Sequence, residues 1–407
     1  MSVGPRGTRL GWTRLGWTCG VAAGAAVLGV AGAAVAGTVL ARLAVSPAKR
    51  PGTPVVIEGI ERDGATLLAR LRGPDAELPG RYSFLFDEAS LFDEASQPGH
   101  ARLGPVRERR GGSIVRPIVA VDRGTLSAGT RGRLTGWWYE DPAELGFATE
   151  IIEYPTELGD ARAWLVRPRR ARKKRWAVHV HGRGALPAET IRGVAPLARA
   201  GITSLVISYR NDPGAPRGMN GRYGNGVAET RDVDAAIAEA LRRGAERVTL
   251  FGWSMGGTAC LLSATEGPHR DVVDGLILDS PAVDWASLLR HQAAGYAAPR
   301  GVADLGIRML GRGLVRGGEP GGIDFARLTP DAFARKLTVP VLVHASRGDR
   351  YVPCEGAERL AEARPDLVQL RLQDRGGHVR LWNVDPDAWE GATEQFARAL
   401  PRPPWRG

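Results

Sequence analysis

Apolar and polar positions follow two regimes along the chain. Beyond about residue 150, short apolar runs recur between stretches with helical spacing. The runs are Trp176–His181, Ser204–Tyr209, Val248–Phe251, Leu276–Leu278, Val339–His344 and the alternating Leu367–Leu372. Helical spacing fits a short helix near Pro196–Arg199 and a longer one over Val227–Leu241. Glu150–Tyr154 and Ala161–Val166 predict a hairpin about Gly159-Asp160. Strands alternating with helices predict an α/β fold, with a mostly parallel sheet flanked by helices and functional groups at the strand C-termini. Residues 149–407 form this larger domain. Within it, Trp285, Leu288, Leu289, Tyr296, Ile307, Met309 and Leu310 suit short helices that would form a lid at 281–336. Residues 46–148 instead show β-type runs broken by Gly and Pro, at Thr53–Ile57, Thr66–Leu71, Arg81–Phe86 and Ile114–Val121. They predict a small β-rich accessory domain, whose role is either to wall a substrate cleft or to act as a spacer.

The N-terminus follows neither regime. Residues 1–14 are basic, with Arg6, Arg9 and Arg14, and residues 15–41 carry no charge. The uncharged stretch is long enough to cross a bilayer with some tilt. Ala34-Val35-Ala36 offers a small-residue cleavage site, so a transmembrane anchor and an export signal compete. The anchor is preferred because the apolar run continues past Ala36. A single N-terminal span leaves its short end in the cytoplasm, which predicts a single-pass membrane protein with the larger domain outside, or secretion after cleavage. Two tandem duplications, Thr8–Trp12 with Thr13–Trp17 and Leu85–Ser90 with Leu91–Ser96, are too few to build a solenoid. The second copy near residue 91 is expected to bulge as a surface loop.

A net charge of +11 raises the question of nucleic acid, but it comes almost wholly from arginine and no recognition motif accompanies it. No nucleic-acid partner is expected. The dense run from Arg167 to Arg175 reads as a solvated charge cluster, with anionic lipid as a second reading. Three cysteines make no disulfide framework, and Cys260 and Cys354 are expected as free thiols.

The chemistry-bearing pattern is Gly252-Trp253-Ser254-Met255-Gly256, between the apolar run ending at Phe251 and a helix-compatible stretch. It places Ser254 on a tight strand-to-helix turn, where small neighbours permit close backbone approach and the helix N-terminus faces a developing oxyanion. An oxyanion site needs two N–H donors, and the backbone amides of Met255 and Arg183 are the candidates. Arg183 lies in His181-Gly182-Arg183-Gly184, directly after a strand. His181 is expected to steady that loop, and His179 to pack in the core. His344 is expected to pack as well, while His100, His269 and His291 read as solvated. A base and an orienting acid follow in chain order. Asp349 comes after the strand ending at His344, and His378 follows a late strand and a paired glycine turn. Asp279 and Asp284 are alternative acids, and Asp374 is expected to point away. Asn211 and Tyr223 are candidates for substrate contact.

Jointly, His181-Gly182-Arg183-Gly184, Gly252-Trp253-Ser254-Met255-Gly256-Gly257, Gly348-Asp349 with Val352-Pro353, and Gly376-Gly377-His378 resemble the serine hydrolases of the α/β-hydrolase superfamily. The branch is that of esterases and peptidase-like enzymes with a His-Gly-x-Gly oxyanion loop. The resemblance, over about residues 150–400, implies an α/β-hydrolase fold, a Ser254–His378–Asp349 triad, and neither metal nor organic cofactor. It implies cleavage of a small acyl ester through an acyl-enzyme. Peptidase, amidase or thioesterase action, or a catalytically silent membrane-anchored binding module, remain as alternatives.

Overall fold

The structure, a computed structural model, describes residues 31–47, 52–87, 98–171 and 174–401. Strands β1 (Val55–Asp63), β2 (Thr66–Arg72), β3 (Tyr82–Phe86), β4 (Gly99–Leu103), β5 (Glu108–Arg110), β6 (Ser113–Arg123) and β7 (Arg131–Thr135) pair antiparallel in the order β2-β1-β7-β3-β4-β6-β5. An additional β2–β6 pairing closes six of them into a barrel, which leaves β5 as a short flap and removes the open edges. Alternate residues such as Val55 and Ile57 point inward and pack with Leu71, Phe84, Leu103 and Leu134. The duplicated copy at 91–96 lies outside the described residues.

The second sheet contains β8 (Ala148–Thr156), β9 (Gly159–Arg167), β10 (Arg175–Val180), β11 (Thr203–Ile207), β12 (Arg247–Trp253), β13 (Val273–Asp279), β14 (Val341–Ser346) and β15 (Val368–Gln373). Its order is β15-β14-β13-β12-β10-β11-β9-β8, parallel except for the β8–β9 hairpin and the β9–β11 pairing. Strands β10, β11, β13 and β14 are buried along their whole length, as parallel strands covered on both faces must be. The helices are α1 (residues 31–45), α2 (Val194–Arg199), α3 (Thr230–Arg242), α4 (Met255–Glu266), α5 (Trp285–Gly295), α6 (Arg300–Gly311), α7 (Pro330–Lys336), α8 (Glu355–Ala363), α9 (Leu381–Val384) and α10 (Pro386–Ala399).

Of the uncharged segment 15–41, residues 15–30 lie outside the described residues, and the remainder belongs to α1. This helix runs past Ala41 and is built into the larger domain. Ala41, Ala44 and Val45 are buried in the same core as Leu288 and Leu310. Gly37 meets Gly306 so closely that a Cβ at residue 306 would stand 2.8 Å from the Gly37 carbonyl oxygen. Thr38 Oγ1 lies 3.6 Å from Met309 Sδ. On the outer face Val35, Val39 and Leu43, spaced four apart, stay exposed. No helix among the described residues is long and apolar enough to cross a membrane.

Two polar residues are more deeply placed than their sequence context implied. Arg175, expected in a solvated run, opens β10 at 2% exposure, and its guanidinium holds Asp274 at 2.7 Å. His100, also expected in solvent, is buried within β4 and lies 2.8 Å from Ser83 Oγ. Both sit where strand pairing turns a polar side chain inward, and each is buried against a polar partner. Cys260 and Cys354 are free thiols.

The α1–α6 crossing has no room for a larger residue. Gly306→Leu is expected to lower the unfolding free energy by about 1–3 kcal/mol through overpacking. Hydrogen exchange over 37–45 should accelerate in the same variant, and unchanged protection there would contradict the seating of α1.

Candidate active site

The turn from β12 into α4 is made by one residue. Ser254 has φ 52° and ψ −117°, a conformation that costs a non-glycine residue about 1–3 kcal/mol. Its N–H donates to the Asp279 carbonyl at 2.9 Å, and its own carbonyl accepts from Gly257 and Ala282 at 3.0 and 3.1 Å. The flanking glycines are sterically required. A Cβ on Gly252 would lie 2.6 Å from the Gly256 carbonyl, and one on Gly256 would collide with the carbonyls of Val180 and His181 at the end of β10.

The structure brings three distant side chains together at this turn. His378 Nε2 lies 2.9 Å from Ser254 Oγ, and His378 Nδ1 lies 2.7 Å from Asp349 Oδ2. The other oxygen of Asp349 accepts the backbone N–H groups of Tyr351 and Val352 at 2.8 and 2.9 Å. The carboxylate is therefore fixed against rotation and aimed at the imidazole. The loop carrying His378 is clamped from both sides. Val379 N–H donates to Ser280 Oγ at 3.1 Å, and Arg192 Nη1 donates to the Val379 carbonyl at 3.0 Å and to Asn383 Oδ1 at 2.8 Å. Asn383 in turn donates to the carbonyls of Arg81 and Gly136, at the barrel's margin.

The loop after β10 is pinned with equal density. His181 is buried, stacks on Tyr209, and bonds to Asp212 Oδ2 at 2.8 Å and to the Gly182 carbonyl at 3.0 Å. Burial opposes its charge most strongly, but the Asp212 carboxylate, the Gly182 carbonyl and Glu189 together outweigh burial and raise its pKa. Gly182 N–H donates to Glu189 at 3.1 Å and Gly184 N–H to the Tyr223 hydroxyl at 3.1 Å. Between them, the Arg183 N–H has no acceptor among the described residues, and neither does the Met255 N–H. The last carbonyls of α1 complete the frame. Ala44 O accepts from the Arg183 guanidinium, and Val45 O accepts from the Tyr223 N–H at 2.8 Å.

Ser254 and His378 open onto a cleft of about 950 Å³. Its far wall is the barrel, through Pro74, Asp75, Glu77, Leu78, Arg133 and Trp137. The accessory domain thus walls the cleft. No residue of the expected lid at 281–336 lines it among the described residues. Helices α5 and α6 instead close, with α1, a neighbouring cavity of about 420 Å³ bordered by Leu40, Leu43, Leu289 and Ile307. The side chains placed by tertiary packing alone, Glu189, Trp137, Tyr351 and Asn383, have no local sequence signal.

Other candidates resolve by geometry. Asp279 lies beneath the site, bonded to Trp389 Nε1 at 2.9 Å and Ser280 Oγ at 3.0 Å, with burial raising its pKa to about 6. Asp284 caps α5 through Ser287 N–H, and Asp374 pairs with Arg347 at 2.8 Å. His179 and His344 are packed in the core, bonded to Ser204 and Thr393, and burial lowers both to about 3. His291 reaches the Arg350 carbonyl at 2.9 Å. Tyr223 and Asn211, proposed as substrate contacts, face the protein: Tyr223 is buried behind the loop at 182–184, and Asn211 bonds to Arg222 O and Gly218 N.

A parallel sheet with a serine on a strained strand-to-helix turn, an imidazole on a later loop and a barrel across the cleft defines a hydrolase-type α/β protein. Residues 177–392, just over half of the chain, match the model of the alpha/beta hydrolase family, and the chain belongs to that family. Residues 57–135 match a family described as a domain of unknown function, DUF8805. The chain is 24% identical over 204 residues to the uncharacterized protein YqkD of Bacillus subtilis, a match covering 48% of this chain and 62% of that one. It therefore spans less than two thirds of that relative's length. The esterase Pf2001 of Pyrococcus furiosus is similar in fold, with TM-score 0.50 and 18% identity over 64% of this chain and 96% of that one. An acylaminoacyl peptidase of Pyrococcus horikoshii matches with TM-score 0.46 and 16% identity, over 86% of this chain and 49% of that one.

Asp279 gives the folded state a signed pH dependence. Its carboxyl holds a proton up to about pH 6, whereas a solvent-exposed aspartate releases it near 3.8. Stability contributed by the neutral form is full below 3.8 and is lost as pH rises to about 6. Asp279→Asn should remove about 2 kcal/mol of the destabilisation that accrues between pH 4 and pH 8, read by denaturant unfolding at both values. An unchanged difference would refute the buried-carboxyl assignment.

Proposed function

We propose that the protein is a serine hydrolase of carboxylic esters that works through an acyl-enzyme. The observation that carries this reading is the hydrogen-bonded series Ser254 Oγ, His378 and Asp349, at 2.9 and 2.7 Å. In the first half-reaction His378 Nε2 takes the Ser254 proton as Oγ bonds to the acyl carbon. Asp349 holds the imidazole with Nε2 toward the serine and stabilises the imidazolium. Negative charge on the carbonyl oxygen falls to the two unengaged amides, Arg183 N–H and Met255 N–H, where each donor is typically worth about 3 kcal/mol. The carbon–oxygen bond to the alcohol then breaks, and His378 returns the proton to the departing oxygen. Water, deprotonated by His378, releases the acid and restores Ser254.

We also propose attachment to a membrane through the N-terminal segment, with the enzyme on the outer side. The exposed Val35, Val39 and Leu43 face of α1, which the uncharged residues 15–30 precede in the sequence, supports this reading.

Fluorophosphonate labelling tests the mechanism. Wild-type chain should be labelled at Ser254 and hydrolyse p-nitrophenyl esters, while Ser254→Ala should take up no probe and lose turnover by at least about 10⁴-fold. Equal labelling of both proteins would sink the assignment. Tyr223→Phe removes the hydroxyl that fixes Gly184 without touching the cleft. It should lower kcat about tenfold and leave KM within about twofold, as expected for a displaced oxyanion donor rather than a lost substrate contact.

A further inference from the structure

Two groups of arginines differ in their partners. Arg380, which lines the cleft, holds the Asp75 carboxylate, and Arg347 and Arg359, outside its lining, hold those of Asp374 and Asp284. Arg183, Arg350 and Arg375, which line the cleft itself with Ser254 and His378, hold none among the described residues. The guanidinium of Arg183 is engaged by a carbonyl and by the Tyr351 hydroxyl only. The acids lining the same cleft are already committed: Asp75 to Arg380 at 2.8 Å, Glu77 to Arg109 at 3.7 Å, and Glu189 to the Gly182 N–H. The nucleophile therefore sits in a cleft with surplus positive charge.

Position in the fold says where on a substrate that charge would act. His378 must protonate the departing oxygen, so the leaving group lies on the side of the loops that carry His378 and Asp349. Arg375 comes three residues before His378, and Arg350 directly follows Asp349. Guanidinium groups recognise carboxylate and phosphate oxygens through paired N–H donors.

Resting on the serine-hydrolase reading above, we propose that the preferred substrate is an ester whose alcohol portion bears a carboxylate or phosphate, bound by Arg350 and Arg375. The two arginines are specificity-determining residues on the leaving-group side, and their exposure makes the preference sensitive to salt.

The test compares full-length wild type with Arg350→Ala/Arg375→Ala on matched esters. One pair carries the charge on the alcohol, para-acetoxybenzoate against its methyl ester, with para-acetoxyphenyl phosphate as the phosphate arm. A second pair carries it on the acyl side, mono-p-nitrophenyl succinate against p-nitrophenyl butyrate. The kcat/KM ratio of charged to neutral alcohol ester should fall about tenfold in the double variant. The wild-type ratio should fall likewise at high salt. Whichever of the carboxylate and phosphate arms loses more identifies the anion. An unchanged ratio, or a loss confined to the succinate pair, would overturn the proposal. If wild type turned over no ester and took up no fluorophosphonate, the serine-hydrolase reading would fail first, and this inference with it.

Discussion

Steric closeness at one chain reversal governs the site. β12 passes into α4 through Ser254 alone, and the reversal exists only because Gly252 and Gly256 let the new helix press against the carbonyl end of β10. The strain in Ser254 is offset by three backbone hydrogen bonds, to Asp279, Gly257 and Ala282. One consequence is an exposed-side hydroxyl aimed at the cleft. The other is that the Met255 N–H, at the first turn of α4, has no acceptor among the described residues.

The partner groups are held by parts of the chain far from that turn. The loop bearing His378 is gripped between Arg192 in the sheet domain and Asn383, which bonds back to the barrel. The barrel is consequently more than a wall, since the backbone of Arg81 and Gly136 helps to fix the segment following the imidazole. The loop bearing Arg183 is gripped by Glu189, Tyr223 and the last carbonyls of α1. A helix drawn from the apolar N-terminal segment is thus part of the scaffold of the candidate site.

Electrostatics sort the seven histidines and several buried acids by the same packing. His179 and His344 are held neutral by burial, whereas His181 gains Asp212 as a partner. Asp349 keeps two backbone donors and the His378 imidazole, while Asp279, nearby in space, is turned toward Trp389 and Ser280. Two imidazoles among the described residues have a hydroxyl by one nitrogen and a carboxylate by the other, His378 with Ser254 and Asp349 and His100 with Ser83 and Asp122, but only the pair of His378 and Ser254 lines the cleft.

Much of this architecture was written locally in the chain. Fully apolar runs in alternation with helical spacing specify a parallel sheet because strands covered on both faces need no polar side, and the Gly-x-Ser-x-Gly turn, the glycine loop after β10 and the two late strand-end loops mark where reactive groups must lie. Local pattern stops at contact. That Arg175 and His100 are buried, that Tyr223 braces a loop instead of meeting substrate, that the barrel rather than residues 281–336 covers the serine, and that α1 packs against α6 all depend on which surfaces meet across tens to hundreds of residues. Periodicity reports whether a face is apolar, but only the assembled tertiary structure decides what that face touches.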